Sequence, residues 1–290
     1  MTLVRYEVFR TVVEKGSLSK AAEIIGLTQS AVSHAIASLE NDFGVTLLSR
    51  GRNGIKLTSN GKLVLHYIRE VLHSNERLLQ EVSKINGLEV GTVRVGTLPS
   101  ISIHWLPQMI KYFNDQFPNV KVELYEGDYD SIESWLLDGT IELGFLSGSS
   151  AKSIEVIPLA KDRLYCIVPK SHQFSKRTKL ELTDLEGERF IMPKSSIDRD
   201  VRTLLKNENI KPNILYEISE DQAIMAMVQH EIGISVLPKM TMSYIPEEVV
   251  LIPLNENYYR QIGIASKSFK QLIPVAKKLV EVIEQWVEQQ

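Results

Sequence analysis

The sequence predicts an α/β protein with a small helical head at its N-terminus and a larger two-lobed domain behind it. Three observations lead there. Two amphipathic helices meet at an almost loopless corner around Gly26, one long helix carries apolar residues at alternating spacings of four and three, and two strand-helix-strand-helix-strand runs lie beyond residue 90.

The corner comes first. Ala21, Ala22 and Ile25 fall on one helical face, and Gly26 stands where a left-handed residue ends a helix. Thr28 is a plausible N-cap for the next helix, whose apolar face holds Ala31 or Val32, Ala35, Ile36 and Leu39. Small alanines allow two helices joined by so short a turn to cross closely and steeply. The corner therefore projects the first turn of the second helix. That turn carries Gln29, Ser30, Ser33 and His34, short donors and acceptors suited to base edges and phosphates. An αα-hairpin used only for packing would show the same apolar pattern.

The segment after the second helix tips the balance. Residues Leu47 to Thr58 read as a strand, an Asn53-Gly54 turn and a return strand. Arg50, Arg52 and Lys56 lie on this hairpin, and no carboxylate occurs from Phe43 to Lys62. The overall charge of −3 conceals the asymmetry: residues 1–62 hold eight Lys/Arg against five Asp/Glu, and the remainder 25 against 31. A basic patch on an acidic chain suits phosphate contacts.

The block from Phe9 to Gly61, with SLSKAAEIIGLTQSAVSHAIASLENDFGVTLLSR and then KLTSNG, resembles the winged helix-turn-helix of the LysR-type transcriptional regulators, and the whole chain matches that family in length and layout. The resemblance implies a DNA-binding surface formed by Thr28, Gln29, Ser30, Ser33 and His34 with Arg50, Arg52, Asn53 and Lys56 on the wing. It also implies promoter DNA with an interrupted palindrome as partner, and a homodimer or homotetramer.

From Thr58 onward, Val64, Ile68, Val71, Asn75, Leu78, Val82 and Ile85 form a heptad seam, widened by Leu65, Leu72 and Leu79. This stretch corresponds to the family's linker helix, through which subunits pair. Gly87 and Gly91 bracket a hinge.

In the first lobe, strands are expected at Thr92–Gly96, Val120–Tyr125 and Ile141–Leu146, with helices at Ile101–Phe117 and Ser131–Asp138. The second set comprises Arg189–Met192, Arg199–Asn207, Asn213–Ile218, Asp221–His230 and Ile232–Leu237. Strands Ile154–Leu159 and Arg163–Val168 lead across, and Gln261–Ser266 with the helix Ile273–Val287 returns the chain. Alternation of this kind implies parallel sheets. The expected domains are 1–58, a linker helix and hinge over 59–89, and 90–290, with one lobe at 90–160 and 266–290 and the other at 161–265.

Ligands of such sheets bind beyond the carboxyl ends of the strands. Those ends carry Thr97, Pro99, Ser100, Ile101, Ser147, Ser195, Ser196 and Ser219, the candidate effector-binding residues. Any one hydroxyl is readily explained as a helix cap; their gathering points to a small polar or anionic metabolite. The family's effector domain is like a periplasmic solute-binding protein, which agrees.

Several classes find no support. The chain has no phosphate loop and no G-x-G-x-x-G run, and His230-Glu231 begins a zinc-protease pattern that Ile234 breaks. The six histidines show no metal-ligand spacing, so no metal and no cofactor is expected. The single cysteine, Cys166, lies in an apolar run that suits a buried strand in a reducing compartment. Without a signal-peptide pattern or a membrane-spanning run, the cytoplasm is the expected location. The competing readings are a two-lobed enzyme, or a solute-binding protein with an accessory DNA-binding or dimerisation arm.

Overall fold

A computed structural model describes residues 2–51, 54–85, 89–147, 153–194, 199–254 and 258–289. Contacts divide the chain into two units, residues 1–88 with 138–140 and residues 89–137 with 141–290.

The first unit comprises α1 (Thr2–Lys15), α2 (Leu18–Ile25), α3 (Gln29–Phe43), the hairpin strands β1 (Leu48–Gly51) and β2 (Gly54–Leu57), and α4 (Ser59–Ile85). Helix α2 starts on Ser17, whose hydroxyl accepts the Lys20 N–H, and ends at Gly26 in the left-handed region (φ 73°). Just past Leu27, Thr28 caps α3 by accepting the Ala31 N–H. The core joins Val8, Phe9, Val12, Ala21, Ala22, Val32, Ile36, Leu39 and Leu47 to Leu65, Ile68 and Leu72 of α4.

The wing is fixed at its root. Glu40 of α3 accepts the N–H groups of Leu47 and Leu48, and the Thr58 hydroxyl donates to the Thr46 carbonyl while accepting the Gly61 N–H. Gly61 lies against the Leu47 carbonyl, leaving no room for a Cβ.

Helix α4 corrects the expected seam. Val64 and Ile68 face the core of their own unit, as do Leu65 and Leu72. The outward stripe starts instead at Leu63 and Tyr67, and continues through Val71, Leu78, Val82 and Ile85, with Leu79 beside it. The first turns of α4 are thus part of the head.

The second unit runs β3 (Gly91–Thr97), α5 (Pro99–His104), α6 (Leu106–Gln116), β4 (Val120–Glu126), α7 (Tyr129–Asp138), β5 (Leu143–Ser147), β6 (Glu155–Pro169), β7 (Arg189–Pro193), α8 (Arg199–Asn207), β8 (Asn213–Ile218), α9 (Asp221–Gln229), β9 (Ser235–Pro238), β10 (Val249–Pro253), β11 (Tyr259–Ser266) and α10 (Pro274–Glu288). The helix expected over 101–117 is two helices, broken at Trp105, where Pro107 in the first turn of α6 lacks the N–H that would continue the ladder.

The sheets are mixed rather than parallel. Strand β3 pairs in parallel with β4 and β5, and β7 with β8, but β11 is antiparallel to β5 and β6, and β9 and β10 are antiparallel to β6. The two crossing strands expected at 154–159 and 163–168 are one strand, β6, whose first half pairs with β11 and whose second half pairs with β9 and β10. Strand β10 was not expected. Because Ile262, Ile264 and Ala265 pack in the first-lobe core, β11 belongs with that lobe and the boundary expected at 265/266 moves back. The second lobe has a core on each face of its sheet, one around Phe190 and Cys166, the other around Ile191 and Met225.

Replacing Gly61 with Ala is expected to destabilise the N-terminal unit by about 1–3 kcal/mol, because the added carbon meets fixed backbone. Thermal or urea unfolding of the variant checks this; an unchanged melt would mean that the wing root can shift without cost.

Candidate functional site

The head presents a compact polar surface. Gln29, Ser30 and His34 are exposed on the first turns of α3, and Ser33 is half-buried beside them. Thr28 belongs to the same surface, but its hydroxyl is used as the cap and lies 3.0 Å from Ser30 Oγ. Gln29 and His34 are therefore the long side chains available at this end of the helix. On the wing, Arg50 stands opposite Ile55 and Lys56 opposite Ser49, and Lys56 is exposed. Arg52, Asn53 and the side chain of Arg50 lie outside the described residues.

The second site is a cavity of about 70 Å³ between the lobes. Leu98, Pro99 and Ser100 follow β3, and Gly127 and Asp128 follow β4; Ser219, Glu220 and Asp221 follow β8, Thr241 follows β9, and Arg260 lies on β11. The cavity thus sits beyond the carboxyl ends of strands from both lobes, as open α/β sheets place their ligands.

Arg260 is its anchor. Only 2% exposed, it stands directly opposite Asp162 across the β6–β11 pair and donates to Asp162 Oδ2 at 2.7 Å and to Ser100 Oγ at 3.2 Å. Asp162 Oδ1 also accepts the Met240 N–H, fixing the turn that carries Thr241. Ser100 is the second residue of α5 and makes no cap; Leu98 is the N-cap, with no side-chain hydrogen bond.

Not every expected residue faces the cavity. Ile101 is fully buried in the first-lobe core, and its N–H is bound to the Leu98 carbonyl. The Thr97 hydroxyl is buried and donates to the same carbonyl. Ser147 is buried and donates to Asp200 Oδ1 at 2.7 Å, while Tyr129 Oη reaches Asp200 Oδ2 at 3.4 Å. Pro99, Ser100 and Ser219 do line the space; Ser195 and Ser196 lie outside the described residues.

Sequence reasoning missed Arg260, Asp162, Asp128, Thr241 and Asp221. Acids beside a helix start read as ordinary dipole partners, and that describes Asp128, whose carboxylate accepts the Ser131 N–H. Asp221 differs: its Oδ1 is buried with no hydrogen-bond partner. Burial is the largest cause that pushes its carboxyl up, to about 6; Arg260 opposes the shift and Glu220 adds to it. Burial likewise raises Asp200, against the hydrogen bond from Ser147 and the charge of Arg260.

A projecting polar helix beside a basic wing, joined in one chain to a two-lobed domain with an interlobe cavity, defines a DNA-binding regulator with a ligand-binding domain. The family model described as the bacterial regulatory helix-turn-helix protein, lysR family, matches residues 3–62, and the LysR substrate binding domain matches residues 86–288. The chain is 30% identical over 288 residues to the HTH-type transcriptional regulator YvbU of Bacillus subtilis, covering 98% of both. Full-length BenM, a regulator of Acinetobacter baylyi, is 28% identical in its crystal structure, with a TM-score of 0.61 over 100% of this chain and 97% of that one. Full-length OxyR from Pseudomonas aeruginosa shares the fold at 20% identity, with a TM-score of 0.78 over 99% of this chain and 94% of that one. The chain belongs to the LysR family of DNA-binding transcriptional regulators. That is a family of regulators rather than enzymes, and no helix among the described residues is long and apolar enough to cross a membrane.

The Asp221 carboxyl yields a pH prediction. Folded, it holds its proton up to about pH 6, whereas the ordinary value is 3.8. Between those values the folded state binds more protons, so this group's contribution to stability falls as pH rises from about 4 to 6. Asp221→Asn is expected to stabilise the protein at pH 7.5 by on the order of 2 kcal/mol, a gain that vanishes near pH 4. Paired melts at pH 4.5 and 7.5 check it; equal differences at both would mean that Asp221 is not ionised against a desolvation cost.

Proposed function

We propose that this regulator works as a cytoplasmic homodimer, assembling further into a homotetramer. In this reading two copies of α3 enter successive major grooves of an interrupted palindrome, and the interlobe cavity binds a small-molecule effector without catalysis, metal or cofactor. The observation that carries the reading is the exposed Gln29–His34 turn, set beyond a left-handed glycine corner and beside the wing that holds Lys56. Gln29 and His34 then read base edges, Ser30, Ser33 and Thr28 complete the helix-side contacts, and Arg50, Arg52, Asn53 and Lys56 hold the backbone.

Pairing is supported by α4. Leu78 is 61% exposed and Ile85 83%, so the helix carries a stripe that water does not favour and a second copy would cover. Effector occupancy shifts the balance between lobe arrangements, and the shift is passed to the paired heads.

Duplexes selected from a random library by the full-length protein test the DNA reading. Gln29→Ala is expected to cost about 1–3 kcal/mol on the selected site and little on a scrambled duplex. Lys56→Ala should weaken both and lower the salt slope by about one. Equal losses on the two duplexes for the Gln29 variant would remove its base-reading role.

Leu78→Lys is expected to shift sedimentation to a smaller species and to collapse affinity for the two-half-site duplex, since it would bury a charge between paired helices. Retention of both size and affinity would show that copies pair through another surface.

A further inference from the structure

The cavity's lining says what kind of molecule it suits. We propose that it takes a small zwitterion, an α-amino acid or close relative, with the ligand's ammonium group against the Asp221 carboxylate and its acidic group against Ser100 and Arg260. This rests on the reading of the cavity as the effector site.

Three carboxylates, Asp128, Glu220 and Asp221, line the space against one guanidinium, Arg260, which already faces Asp162. A purely anionic ligand would enter a surplus of negative charge; a purely cationic one would meet the buried guanidinium. A molecule carrying both charges matches both sides. The carboxylates are not equivalent. Asp128 is committed to capping α7 through the Ser131 N–H, and Glu220 is exposed. Asp221 has a buried Oδ1 to which no group among the described residues donates, an arrangement that a bound ammonium would satisfy with a charge-assisted hydrogen bond.

The first-lobe residues of the lining offer the complement. Ser100 Oγ accepts from Arg260, so its own proton is directed elsewhere, and the two together present a hydroxyl donor and a cationic plane. Leu98 and Pro99 add a small apolar patch. Since a single water needs at least roughly 10–15 Å³, a cavity of about 70 Å³ suits a handful of non-hydrogen atoms, the size of a small amino acid.

The experiment is calorimetry and thermal melting of the full-length protein with the small L-amino acids, their N-acetyl derivatives, the matching α-hydroxy acids and the matching amides. At least one amino acid is expected to bind, with its N-acetyl, hydroxy and amide analogues each at least tenfold weaker. Asp221→Asn should weaken that amino acid by at least tenfold, and Ser100→Ala by a smaller factor. Apo melts of both variants exclude unfolding as the cause. Hydroxy acids that bind as tightly as the amino acid, or full affinity in the Asp221→Asn variant, would overturn the zwitterion. If those acids lose their affinity in Ser100→Ala, the cavity stands as the effector site although the ligand class does not. Silence of every compound also overturns the inference, and the duplex titrations then judge the regulator reading by themselves.

Discussion

The Arg260–Asp162 pair is the interaction on which the second unit's functional geometry depends. Both side chains are 2% exposed and lie directly opposite one another where β6 and β11 cross from lobe to lobe. Such a pair contributes little against an apolar substitute, but removing one partner leaves a buried charge and costs about 3–5 kcal/mol. Its remaining hydrogen bonds explain its value here. Arg260 reaches Ser100 at the start of α5, and Asp162 reaches the Met240 N–H in the turn after β9. One ion pair therefore sets the relative positions of three of the cavity's walls.

A second set of contacts acts beside it. Arg199, at the start of α8, donates to Asp130 at 2.9 Å and Glu133 at 2.9 Å on α7, and its guanidinium lies 5.1 Å from the Tyr129 ring centroid. Its neighbour Asp200 accepts from Ser147 and Tyr129. The lobes are thus latched through the end of β5, and the hydroxyl of Ser147, expected among the effector-binding residues, is taken up by Asp200. Ser100 and Asp221, by contrast, line the cavity. The exposed end of the latch, at Asp130, contributes little on its own; the buried hydroxyl-to-carboxylate bonds hold more, because breaking them strands a desolvated charge.

Local chemistry made much of this visible in the sequence. Gly26 and Thr28 act through their immediate neighbours, so the corner could be read from a dozen residues. The two hairpin strands were legible too, but Gly54 is not part of the turn expected at Asn53-Gly54: it pairs with Gly51 and opens the return strand, while Asn53 lies outside the described residues. The helices at 199–207 and 221–230 and the strand at 213–218 came from periodicity for the same reason. Pairing across the chain was harder. Nothing local distinguishes one strand of 15 residues from two shorter ones, and the position of β11 in the first lobe depends on partners about 100 residues earlier. Arg260 and Asp162 look like outward charges on alternating strands until their register makes them partners. Asp221 reads as a helix-dipole acid, and only its burial sets it apart. The phase of α4 was ambiguous because the helix has two apolar faces, and counting cannot tell which one its own unit covers.

Those two faces bear on why the helix is so long. Leu65, Ile68 and Leu72 account for the part of α4 that the N-terminal core holds, and beyond Leu72 no apolar side chain of the helix is buried among the described residues. The remaining stretch to Ile85 is about as long as a helix that is marginal by itself in water, since tertiary packing rather than propensity supplies most helical stability. Leu78, Val82 and Ile85 continue there the exposed row that Leu63, Tyr67 and Val71 begin. A second copy would bury that face and turn a marginal segment into a rigid one. Ordering of the helix and pairing of two subunits are then a single equilibrium, and the separation of two recognition helices is set by the same apolar contacts that keep the helix formed.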